Sequence, residues 1–207
     1  MVYITHGGEN IEKLDTILQI AQKRFGLYGF EKTSMKEIAS DLGMSKGSLY
    51  YYFPDKEHLY KAIVEKEQKE FLAALEIKIN GIDDPGEMLR EYVKIRFKYF
   101  KSLLNLSRFR VEEFAGFKPI VRESLKQFRE SERDFVRKIF KKGSEKGVFK
   151  IKNVNKTALL YLDLLLGLRF VVISNKTTLY LDQEEYDILE EKASGFTEIF
   201  ISGLKYI

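Results

Sequence analysis

The chain has 207 residues, 44% of them hydrophobic, and a formal net charge of +4. That is enough for one or two domains with a real core, and too apolar for a disordered segment. Cysteine is absent and histidine occurs only as His6 and His58, which excludes a disulfide framework, a thiolate metal site, a cysteine nucleophile and a His-rich metal centre.

The N-terminal run MVYITHGGEN has no basic region followed by an apolar stretch, so no secretory signal is expected and a cytoplasmic protein is the default. Residues 1–8 read as a loose tail broken at Gly7-Gly8. Asn10 is a candidate cap for a first helix. Ile11, Leu14, Ile17, Leu18, Ala21 and Phe25 recur along it at helical spacing. The helix is expected to end before the stretch from Gly26 to Gly29.

The segment TSMKEIASDLGMSKGSLYYYFPDK, residues 33–56, predicts two short helices joined by a tight turn. Ser34 and Glu37 have the spacing of a capping box, and Ile38, Ala39 and Leu42 share one face behind them. Gly43 stands where that helix must stop, because glycine tolerates a left-handed turn. Ser45 can cap a second helix with Leu49 and Phe53 on its inner face. The small Ala39 lets the two helices cross closely. A small residue, a glycine turn and a second helix is the pattern of a helix-turn-helix, whose second helix enters the major groove of DNA. The outward residues suit that task. Lys46 can donate to a guanine edge, and Gly47 lets the backbone come close to a base. Ser48, Tyr51 and Tyr52 carry hydroxyls able to reach phosphates. Asp55 caps the next helix and sets Lys56 in its first turn, where positive charge and free N–H groups favour a phosphate.

Over residues 10–65 the chain resembles the TetR family of transcriptional repressors, whose second helix reads roughly S-K-G-x-L-Y-x-Y-F followed by a lysine; here the run is SKGSLYYYFPDK. The resemblance implies DNA contacts from Thr33, Ser34, Ser45, Lys46, Gly47, Ser48, Tyr50, Tyr51, Tyr52 and Lys56. Tyr51 stands where many members carry histidine or another aromatic residue. Bulk charge lends no support, since residues 1–60 hold seven Lys and Arg against eight Asp and Glu, a net of −1. The case rests on where individual charges point.

A long helix from Lys56 to about Ile79 follows, its inner face Leu59, Ile63, Phe71, Leu72 and Leu75. Its middle, EKEQKE, is polar all round and reads as a solvent-crossing connector or a solvated face. Asn80-Gly81 ends it. Asp84 and Pro85 begin an aromatic-rich helix running to about Leu106. A shorter segment carries Phe109, Phe114 and Phe117. A further helix spans Pro119 to about Lys142 and is broken by Gly143 and Gly147. Asn153 or Asn155 caps ALLYLDLLLGLRFVVI, which is too short for a membrane span and is interrupted by Asp163 and Arg169. Asp182 and Glu185 form a second capping-box pattern. The last helix carries Tyr186, Leu189, Ala193, Phe196, Phe200 and Leu204 on one stripe.

The expectation is an all-α protein of about nine helices: a helix-turn-helix head over residues 1–55 and a larger helical regulatory and dimerisation body over 56–207. The resemblance implies a homodimer through the last two helices, with Leu165, Phe196, Phe200 and Leu204 as candidate contacts. Two heads would then meet half-sites about 34 Å or more apart on a pseudo-palindromic operator. The aromatics of the body offer a pocket for a small apolar or amphipathic ligand, with Tyr92, Phe97, Phe100, Phe114 and Phe128 as candidate lining and Arg169 facing an anionic group. Each of these aromatics equally suits plain core, and for Arg169 the favoured alternative is structural pairing, with Asp163 or with a partner subunit. Ser202-x-x-Lys205 has the spacing of a serine–lysine nucleophile pair but sits on a helix stripe, and no phosphate loop, metal motif or Ser, His and Asp set accompanies it. Neither enzyme activity nor a cofactor is expected.

Overall fold

In the computed structural model the described residues are 7–102, 119–173 and 181–205, without the side chains of residues 7–10, 100–102, 120, 121, 125, 169, 170 and 173. They form eight helices: α1 (Gly7–Tyr28), α2 (Met35–Asp41), α3 (Lys46–Tyr52), α4 (Lys56–Ile79), α5 (Pro85–Ser102), α6 (Pro119–Glu145), α7 (Val154–Ile173) and α8 (Gln183–Leu204). The short segment expected around Phe109–Phe117 lies outside the described residues. No helix among them is long and apolar enough to cross a membrane.

Local chemistry sets most boundaries. Ser34 caps α2 in a reciprocal box with Glu37, and Asp182 does the same for α8 with Glu185. Asp55 caps α4 by accepting from the His58 N–H at 2.7 Å. Asn153 caps α7, its Oδ1 accepting from the Lys156 N–H at 3.0 Å. Gly43, with φ +62°, makes the turn between α2 and α3. Two boundaries differ from expectation. α1 begins at Gly7 and runs through Gly26, which is buried within it; Gly29, at φ +85°, is the residue that turns the chain. α6 likewise passes through Gly143. That glycine is a seat for a ring: a Cβ there would lie 2.1 Å from Phe149 Cδ2. Gly147, at φ +68°, makes the turn instead.

Two apolar cores result. The head core joins Ile17, Ala21 and Phe25 of α1, Ile38 of α2, Leu49 and Phe53, and then Leu59, Tyr60, Ile63 and Val64 of α4. Phe25, Phe30 and Tyr60 meet in pairs at centroid separations of 5.2–5.7 Å. The body core takes Phe71, Leu75 and Ile79 from the same helix and adds Tyr92, Phe97, Phe140, Phe149, Tyr161, Leu165 and Leu189. A helix expected to belong to the body therefore completes the head with its first two turns.

The polar middle of α4 is not a bare connector. Glu67 is 3% exposed and accepts from Gln22 Nε2 of α1, and Lys66 pairs with Asp15. Helix α1 lies along this stretch, so EKEQKE has one covered face. In the body, Arg90 grips Glu198 with two bonds of 2.5 and 2.9 Å, tying α5 to α8. An isolated antiparallel bridge between Phe149 and Lys205, with the Lys150 N–H donating to the Leu204 carbonyl at 2.6 Å, fastens the end of α8 beside the α6–α7 connection.

Candidate nucleic-acid interface

Helix α3 has seven residues, and its two sides differ completely. Leu49 and the capping Phe53 are buried at 0% and 1% exposure. Lys46, Gly47, Ser48, Tyr50 and Tyr51 are exposed, Tyr51 by 82%. Two tyrosine rings, Tyr50 and Tyr51, thus share the exposed side with Lys46. Tyr52 is half-buried against the head core and meets Tyr51 edge-on at 5.4 Å. The Lys46 ammonium lies 5.4 Å from the Tyr50 ring centroid, a cation–π contact that holds the charge outward. A Cβ at Gly47 would meet only Ser45 Oγ, at 3.8 Å. Nothing inside the protein demands glycine there, although glycine costs helix stability. Close approach by an outside partner would explain it.

The remaining candidates are partly engaged. Ser45 caps α3, accepting from the Ser48 N–H at 3.0 Å, and the two hydroxyls are 2.8 Å apart. The Ser34 hydroxyl donates to Glu37 Oε2 at 2.7 Å. Lys56 Nζ is half-buried, donates to the Phe30 carbonyl at 2.8 Å and sits 4.2 Å from that ring. It therefore braces the start of α4 as well as offering charge. Thr33 is placed otherwise than expected. It is 2% exposed and its hydroxyl donates to the Gly29 carbonyl at 2.8 Å, so it shapes the α1–α2 turn.

Arg24 was not foreseen. Its Nη1 bonds Asp41 at 2.6 Å and its Nη2 meets Glu37 at 3.0 Å. These bonds, Asp41's first, raise the Arg24 pKa further, while the Ser34 hydroxyl and N–H chiefly hold the Glu37 carboxyl below its ordinary value. A contact between α1 and α2 leaves no spacing signal in the sequence.

In the body, Tyr92 and Phe97 are buried at 0% and 2% exposure, and Phe128 is half-buried with its ring 5.7 Å from Phe71. Phe114 lies outside the described residues, as do the side chains of Phe100 and Arg169. Asp163 is exposed. A cleft of about 600 Å³ opens elsewhere, between the end of α4 and the C-terminal half of α6, over Ile79, Met88, Phe135 and Ile139. Leu165 is fully buried inside the protomer, and Phe196, Phe200 and Leu204 are half-buried against the same core. The open apolar face of α7 is Leu159, Leu160, Leu164, Leu166 and Val171, with Ile188 and Ile199 on α8. Of the dimer candidates, Leu165 thus points inward, while Phe196, Phe200 and Leu204 are only partly covered by the protomer's own core.

Known proteins share this arrangement. The family model for bacterial regulatory proteins of the tetR family matches residues 17–63, the whole helix-turn-helix and the start of α4. The HTH-type transcriptional regulator RutR of Escherichia coli (strain K12) is 30% identical over 113 residues, 55% of this chain and 53% of RutR, so the chain spans about half the length of the first curated relatives it matches. The uncharacterized HTH-type transcriptional regulator YxaF of Bacillus subtilis (strain 168) is 27% identical over 197 residues, covering 91% of this chain and 99% of that protein. The crystal structure of a transcriptional regulator from Cytophaga hutchinsonii ATCC 33406 has a TM-score of 0.82 and 37% identity, over 94% of this chain and 99% of that one. With that likeness running nearly end to end, and the family's signature falling on the exposed helix and its supports, the chain belongs to the TetR family of bacterial regulatory proteins.

Proposed function

We propose that this protein is a cytoplasmic transcriptional regulator that binds a pseudo-palindromic operator as a homodimer and represses until a small molecule releases it. The observation that carries the reading is the outward face of α3, with Lys46 and an exposed Tyr51 beside a glycine the fold itself does not require. Dimerisation draws support from the leucines left open on α7, with the exposed Ile188 and Ile199 on α8. A two-fold pairing there would give two heads and hence two half-sites.

The test begins with a duplex selected by the protein from a randomised pool. A symmetric selected sequence and one dimer bound per duplex are expected. Charged replacements at Leu160 and Leu164 should yield a monomer in solution with weakened binding. Selection returning no preferred sequence would refute operator recognition. For the switch, affinity for the selected duplex is compared with and without each small molecule that binds the protein, because a ligand shifts the equilibrium only by its differential affinity for the two states. Unchanged affinity in every case refutes it.

A second reading is regulation without a small molecule, as an activator or a protein-regulated scaffold. The close packing of Tyr92 and Phe97 favours it, since these candidate pocket residues are core.

A further inference from the structure

We infer that Arg24 is a positioning residue for DNA binding, which holds α2 against α1 and cancels two carboxylates beside the contact helix. The inference rests on the reading of α3 as the DNA-contacting element. From residue 33 to residue 56 the chain carries three lysines, Lys36, Lys46 and Lys56, and three acids, Glu37, Asp41 and Asp55, a sum of zero. With no net charge, the segment gains little long-range attraction to a phosphate backbone and depends on where its lysines point. Arg24 adds the missing positive charge from α1 and places it on two of those acids. Its side chain is 17% exposed, against 44% for Glu37 and 40% for Asp41, so the cation is sheltered while the acids face solvent.

The geometry also needs the guanidinium. Two different nitrogens serve two different carboxylates, four residues apart on one face of α2, and the guanidinium carbon lies 5.0 Å from the Tyr28 ring centroid. Lysine presents a single compact charge and does not reproduce that fork. Glu37 in turn accepts from both the N–H and the hydroxyl of Ser34. One chain of bonds therefore runs from α1 through Glu37 to the cap of α2. Without Arg24, Asp41 would stand uncancelled at the end of α2, the helix that α3 packs against, two residues before Gly43.

The experiment measures binding of the full-length protein to its selected duplex by fluorescence anisotropy across a salt series, with thermal unfolding in parallel. Arg24→Gln should bind about fivefold to tenfold more weakly at about 0.05 M salt, and the gap should narrow as salt screens the exposed acids. Adding Asp41→Asn should recover the salt-dependent part of the loss and leave the part due to the missing clamp. Arg24→Lys should keep the wild-type salt dependence with a smaller loss, and it carries the test alone should Arg24→Gln not fold. Wild-type affinity in Arg24→Gln, or a loss that is independent of salt and untouched by Asp41→Asn, overturns the inference while leaving the DNA-binding reading intact. A wild-type protein that binds no duplex overturns both.

Discussion

Arg96 and Glu132 form an ion pair inside the body, Nε to Oε1 at 2.8 Å, with side-chain exposures of only 9% and 5%. Tyr92 donates its hydroxyl to the same oxygen at 2.7 Å. Burial, with Glu132 adding to it, pushes the Tyr92 phenol well up, so it remains a donor at any physiological pH. Breaking such a pair leaves one charge desolvated. Glu132→Ala should therefore destabilise the fold by about 3–5 kcal/mol. Tyr92→Phe should cost less, about 1.5–3 kcal/mol, the range for a hydrogen bond to a charged group. Chemical denaturation separates the two, and equal midpoints for wild type and Glu132→Ala would show that Arg96 finds another partner.

Gly143 tests packing. Because a methyl group there would collide with the Phe149 ring, Gly143→Ala should lower stability by about 1–3 kcal/mol. Shortening the ring in a Gly143→Ala, Phe149→Leu double variant should return part of that cost, giving a non-additive cycle. Simple additivity of the two changes in denaturation midpoint would count against direct contact.

Lys46 tests recognition. Lys46→Ala should weaken binding to the selected duplex by about 1–3 kcal/mol and relax the preference at one base position. Its side chain is exposed, so thermal stability should stay within about 0.5 kcal/mol of wild type. Unaltered discrimination in a repeated selection would remove Lys46 from the base-reading set. Losing Lys56 should weaken all duplexes alike and also lower stability, since it braces the Phe30 carbonyl.

Acid should loosen the fold in a traceable way. Glu37 is held below the usual carboxylate range chiefly by Ser34, Asp83 by Lys146 and Glu198 by Arg90. A carboxyl whose folded pKa is depressed contributes stability that is present above its unfolded pKa and lost as pH falls through the folded value. Melting temperature should therefore fall from about pH 5 downward. Glu37→Gln should flatten part of that dependence, and melts that run parallel to wild type across the range would exclude Glu37 as a contributor.

How much the sequence disclosed depended on the range of each interaction. Ser34 with Glu37, Asp182 with Glu185, Gly43 and Asp55 were all legible, because caps and turns are settled within three or four residues. The exposed face of α3 followed from the same local periodicity. What lay hidden was set by distant contacts. Gly143 looked like a breaker because its reason, the Phe149 ring, comes from the next turn of chain. Glu67 looked solvated because Gln22, which covers it, is 45 residues away. In α7 nearly every residue is apolar, so periodicity could not say that Leu165 turns inward and Leu164 outward. Thr33 was assigned by resemblance, and its hydroxyl is taken by Gly29.

Helix α4 takes part in both cores, with Leu59–Val64 at one end and Phe71–Ile79 at the other. Its 24 residues make a rod about 36 Å long. A rod clamped at one end magnifies small rotations at the other: a swing of about 5° carries the free end through about 3 Å over that length. A base edge is read to within a few tenths of an ångström, so a motion too slight to disturb the trunk would already throw α3 out of register with the groove.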